Sequence, residues 1–123
     1  MGNFSDVVLV LDKIGYSRLQ EAMNEATEDV RKLFQLNREF AVEPGTGMAI
    51  FYWQGIKWYW SEPELKFVEA FLEDLEDEQY LFIRLGEDGS LDTRGGLYDN
   101  PFQPKVVSKI QFNRIGKVPG TGS

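Results

Sequence analysis

Residues 48–60, MAIFYWQGIKWYW, constrain this chain more than any other stretch. Five aromatic side chains (Tyr52, Trp53, Trp58, Tyr59, Trp60) fall within nine positions, with Phe51 alongside. In a strand, successive side chains point to opposite faces. Apolar bulk at consecutive positions therefore makes both faces sticky, and one sheet face packed on helices cannot absorb it all. Gln54-Gly55 between two strand-like runs reads as the two-residue loop of a tight hairpin. In that register Trp53 faces Ile56, Phe51 faces Trp58 and Ala49 faces Trp60. The opposite face then carries Ile50, Tyr52, Lys57 and Tyr59. In a sheet with helices on one side only, that face is open, and Tyr52, Lys57 and Tyr59 become candidates for a recognition patch.

The rest of the chain supplies the partners. Residues 6–12 (DVVLVLD) are β-branched and apolar, as in a central strand. Ser17 with Gln20 offers a capping box. Leu19, Ala22, Met23, Ala26, Val30, Leu33 and Phe34 follow at the spacing of one helical face, so a helix is expected over 17–38, with a possible restart at Thr27-Glu28. Residues 43–47 (EPGTG) read as a turn or loop. Ser61 with Glu64, and Pro63 in the first turn, announce a second helix to about residue 75. Strands are expected at 79–85, near 90–94 and over 105–112, with a turn at 86–90 and a loop around Gly95-Gly96 and Asn100-Pro101. The order β-α-β-β-α-β plus a β extension predicts an α+β, ferredoxin-like antiparallel sheet with two helices on one face. A single domain is expected over 1–115, with a flexible tail over 116–123.

Composition narrows the chemistry. The 123 residues contain no cysteine and no histidine. Disulfides, thiolate nucleophiles, Cys or His metal sites and imidazole-based triads are thereby excluded. No phosphate-loop motif is present, and residues 87–92 lack the ligand spacing of a calcium loop, so no cofactor and no metal are expected. The longest apolar run, residues 7–11, has strand length rather than the ~20 residues of a membrane span. A cytoplasmic location without membrane attachment is the expectation.

Charge is unevenly placed. The net charge is −7, but residues 1–93 carry −11 and residues 94–123 carry +4. The excess peaks on the second helix and its exit, at Glu62, Glu69, Glu73, Asp74, Glu76 and Asp77. Glu69, Glu73 and Glu76 recur about once per 5.4 Å turn, and like charges so spaced cost a few tenths of a kcal/mol each. Asp74 and Asp77 lie toward the helix C-terminus, where the dipole disfavours them.

These features predict a non-enzymatic acidic binding protein that touches a basic protein partner through a carboxylate-rich helix. A row of carboxylates resembles the charge density of a nucleic-acid strand, so the partner expected is a nuclease or another nucleic-acid-handling protein. Phage- or plasmid-encoded antagonists of restriction or CRISPR nucleases act this way, as do immunity partners of nuclease toxins. Direct nucleic-acid binding is disfavoured by the charge. The alternatives are a structural subunit, such as a homodimer, joined through the aromatic sheet face, or an RNA-recognition-like binder using that face.

Overall fold

Five apolar residues in a row build the centre of the sheet. In the computed structural model, which describes residues 4–106 and 109–113, strand β1 (Ser5–Leu11) is hydrogen-bonded on both sides. Val7, Val8, Leu9, Val10 and Leu11 are at most 1% exposed. Alternation sends Val7, Leu9 and Leu11 to one core and Val8 and Val10 to another. Such two-sided burial explains why this strand reads as a continuous apolar run rather than an alternating one. Its neighbours are β3 (Ala49–Ile56) and β4 (Tyr80–Gly86), and the edges are β2 (Glu39–Val42) and β5 (Leu91–Gly95). The sheet order is β2-β3-β1-β4-β5, with every neighbouring pair antiparallel. It follows that β1 and β2 run parallel with β3 between them, and β3 and β4 run parallel with β1 between them. A separate two-stranded sheet pairs β6 (Lys105–Val106) with β7 (Ile110–Gln111).

Three helices complete this mixed α+β architecture. The helix expected over 17–38 divides at the Thr27-Glu28 restart into α1 (Lys13–Asn24), which begins four residues earlier than expected, and α2 (Glu28–Gln35), which ends three residues sooner. Asp12, not Ser17, caps α1, accepting from the Gly15 N–H at 2.7 Å. Gly15 sits there because a Cβ would lie 3.2 Å from the Gln79 carbonyl oxygen. Thr27 caps α2 by accepting from the Val30 N–H. Arg31 closes the gap between the helices, donating to the carbonyls of Met23 and Asn24 at 3.1 and 3.0 Å. Helix α3 (Pro63–Glu73) has Glu62 at its N-cap with no side-chain capping bond, so the expected Ser61–Glu64 box does not form. A single 3₁₀ turn (Asp77–Gln79) then leads into β4.

The Gln54-Gly55 hairpin is also corrected. β3 runs unbroken through both residues. Gly55 does adopt a positive φ, +63°, but at an irregularity in the β1–β3 register, where its N–H donates to the Asp6 carboxylate at 2.8 Å. A glycine of this kind marks a bulge as readily as a turn. The hairpin partner of β3 is β2, pairing Phe40 with Phe51, Ala41 with Ile50 and Val42 with Ala49. None of the pairings expected from the other register occurs.

Two cores lie on the two faces of the sheet. The larger one, beneath the helices, centres on Trp53, which is fully buried and donates from Nε1 to the Leu33 carbonyl at 2.8 Å. Phe34 and Trp58 meet its ring edge-on, at centroid distances of 5.4 and 5.2 Å. On the other face, Val8, Val10, Ile50, Tyr52, Leu81 and Ile83 pack against Leu97, Phe102, Ile110 and Phe112. The expected open face is therefore covered by the segment after β5. Buried Asn100 holds that irregular segment in shape. Its amide donates to the Leu97 carbonyl at 2.7 Å, and its Oδ1 accepts from the N–H groups of Phe102 and Gln103 at 3.0 and 2.8 Å. Buried polar groups need such partners, and these deliver Phe102, 0% exposed, onto the sheet. The strand expected over 105–112 is seen only as β6 and β7, and the expected tail over 116–123 lies outside the described residues. No helix among the described residues is long and apolar enough to cross a membrane.

Candidate functional site

Helix α3 turns Leu65, Val68 and Leu72 into the core, which leaves its acidic residues near the surface. Those residues divide into two groups. Glu69 is half-buried and binds Arg94 of β5 at 3.2 Å. Arg94 also lies 3.7 Å from Asp92, and its guanidinium stacks 4.5 Å from the Trp60 ring centroid. Glu69 is thus tied into a helix-to-sheet clasp. Glu76 is also occupied. Its side chain accepts from the Gln79 N–H while the Gln79 side chain accepts from the Glu76 N–H at 2.9 Å, a reciprocal capping box on the 3₁₀ turn.

Glu73, Asp74 and Asp77 remain, together with Glu78, all exposed and without an ion pair among the described residues. Asp74 is the C-cap of α3, and its carbonyl accepts from Arg18 at 3.3 Å. The Asp77 carbonyl accepts from the Gly96 N–H at 2.7 Å. Backbone bonds therefore hold both residues in place while their carboxylates stay in water. Glu62 is exposed at the other end of α3, about 16 Å away along an eleven-residue helix. The expected row of six thus becomes a three-residue cluster at the helix exit, extended by Glu78, with one outlying carboxylate. Asp77 also acts on Tyr80: burial first, and then the Asp77 charge, push the phenol pKa above its ordinary value.

The aromatic candidates do not come together. Tyr52 is only 7% exposed and meets Phe112 edge-on at 5.4 Å. Lys57 and Tyr59 lie beyond the end of β3, and the Lys57 ammonium sits 5.7 Å from the Phe4 ring centroid. Stacking of bases or of a second sheet on this face would require displacing Leu97, Phe102, Ile110 and Phe112.

Sequence reading passed over a second polar concavity. It opens between the β2–β3 end of the sheet and β7, with a volume of about 520 Å³. Arg38, Gln54, Lys109 and Gln111 are among its lining residues. The basic excess after residue 93 was the available signal, although only the fold shows that Arg38 joins it. No group of three or more acidic side chains among the described residues is arranged to hold a metal ion. Comparison with protein-family models, with curated proteins and with solved structures finds no match to this chain.

Proposed function

We propose that this chain is a non-enzymatic binding protein that presents the carboxylates at the exit of α3 to a basic, nucleic-acid-handling protein partner. The observation that carries the reading is the state of Glu73, Asp74, Asp77 and Glu78. They are exposed, adjacent and unpaired among the described residues, and Glu73 and Asp74 sit at the C-terminus of α3, whose dipole opposes them. Stability alone favours cations at those two positions. A contiguous acidic patch steers and orients a basic surface, and an inhibitor or immunity-type role follows if that surface is the partner's nucleic-acid groove. We also read the fold as ferredoxin-like with β5 added at one edge. The two interleaved parallel pairs, each split by an antiparallel strand, support that reading.

The test is capture of a basic nucleic-acid-binding protein on the immobilised chain, followed by challenge with duplex DNA and with salt from ~50 to ~500 mM. Release by both is expected, as is loss of capture by the Glu73→Gln, Asp74→Asn, Asp77→Asn, Glu78→Gln variant. Undiminished capture by that variant refutes the acidic-patch mechanism.

A further inference from the structure

Arginine bookkeeping singles out the concavity beside β7. Arg18 and Arg31 donate to helix-terminal carbonyls, and Arg84 and Arg94 pair with carboxylates. Arg38 is the one arginine among the described residues whose guanidinium has no hydrogen bond, ion pair or ring contact. It lines the 520 Å³ cavity together with Lys109, which also has no ion pair among the described residues. No lysine among the described residues has an ion pair, so the distinguishing feature is the unengaged guanidinium of Arg38 with a second cation beside it in one hollow.

The lining has a recognisable chemistry. A guanidinium offers a planar fork of donors that matches two oxygens of an oxyanion, and an ammonium adds a point charge. Gln54 and Gln111 add neutral amide donors, and Phe112 forms part of an apolar wall. Glu39 lines the same cavity, so among its described lining residues two cations stand against one carboxylate. The volume suits a small organic ligand. The acidic patch of α3 lies over the other face of the sheet, whereas Tyr52, Ile110 and Phe112 of the cavity belong to the second core. Packed layers stand about 10 Å apart, more than the ~8 Å Debye length at physiological salt, so the repulsion of that patch for an anion here is largely screened.

We propose that this cavity binds a phosphate-class oxyanion, either free or as a phosphate monoester, with Arg38 as the bidentate anchor and Lys109 as the second charge. The inference is independent of the acidic patch. Its test is titration with inorganic phosphate at constant ionic strength, followed through the backbone amide NMR signals of Gln54 and Gln111, with phenyl phosphate as a second probe. Saturable shifts confined to the cavity are expected for phosphate. Phenyl phosphate is expected to bind at least as tightly, its ring meeting Phe112. Arg38→Gln and Lys109→Gln are each expected to weaken binding about 10-fold or more, while exposed Lys66→Gln on α3 leaves it unchanged. Both cavity variants alter exposed side chains, and an unchanged thermal melt verifies their fold. Linear shifts without saturation, equal weakening by Lys66→Gln, or no effect of Arg38→Gln would each overturn the proposal. Binding of phosphate with exclusion of phenyl phosphate overturns the monoester form.

Discussion

Replacing Phe102 by alanine asks whether the segment after β5 is part of the fold or merely rests on it. Phe102 is 0% exposed and belongs to the core of Val8, Val10, Ile50 and Leu81. Truncating a fully buried phenylalanine costs about 3–5 kcal/mol, from lost transfer energy and the cavity left behind. A domain of this size has about 5–15 kcal/mol in total, so the variant is expected to keep its fold with much of its margin gone. In a thermal melt that corresponds to a fall of roughly 10–20 °C, and urea unfolding gives the free energy directly. Tyr98→Ala is the control within the same segment. Tyr98 is 69% exposed, and its loss is expected to change stability by no more than about 0.5 kcal/mol. A Phe102→Ala cost below about 1 kcal/mol would refute the second core as a stabilising element and restore the open aromatic face.

Three further outcomes are expected. Gly95→Ala places a Cβ within contact distance of the Tyr80 carbonyl oxygen at a φ of +84°, so a loss above about 2 kcal/mol is expected in urea unfolding, against about 1 kcal/mol for Gly55→Ala, which meets nothing within 4 Å. A double-mutant cycle on Arg94→Gln and Glu69→Gln is expected to give a coupling of no more than about 1 kcal/mol, because both side chains are about one-third exposed. Thr46→Val is expected to raise the Glu43 carboxyl pKa, followed by carbon NMR, part of the way back to its ordinary range, because the residue-46 N–H bond remains. The Thr46 hydroxyl and then its N–H, at 2.7 and 2.8 Å, hold the Glu43 pKa down. A depressed carboxylate stabilises the fold above its unfolded pKa, and that contribution is lost as pH falls through the folded value, so the difference between wild type and variant should vanish in acid.

The central strand was legible because burial on both faces leaves a contiguous apolar run, and no other element explains residues 7–11. Helix α3 was legible from its apolar spacing and Pro63. What failed were local signals with two meanings. Asp12 read as the end of a strand, yet it is the cap that starts α1, with Gly15 at the close approach beside it. Gly55 signalled a positive φ correctly, but a bulge was its use. The four residues of β2 fall between the helix expected over 17–38 and the loop expected over 43–47, a stretch too short to show a strand period. The cover over the second face had no periodicity to find, since Leu97 and Phe102 sit in irregular chain shaped by a single asparagine. Of the acidic row, sequence spacing gave the positions, but a tertiary contact to Arg94 sets Glu69 apart and a local capping box with Gln79 sets Glu76 apart from Glu73, Asp74 and Asp77.

The covering of β1 also sets an order of events during synthesis. Val8 and Val10 precede Ile110 and Phe112, which help shelter them, by about a hundred positions. At ordinary elongation rates that interval is about 5–20 s, far longer than a hairpin needs to close. A nascent chain must therefore carry one naked hydrophobic sheet face until the segment after β5 arrives, and that waiting period is when a chaperone has most to do for this molecule.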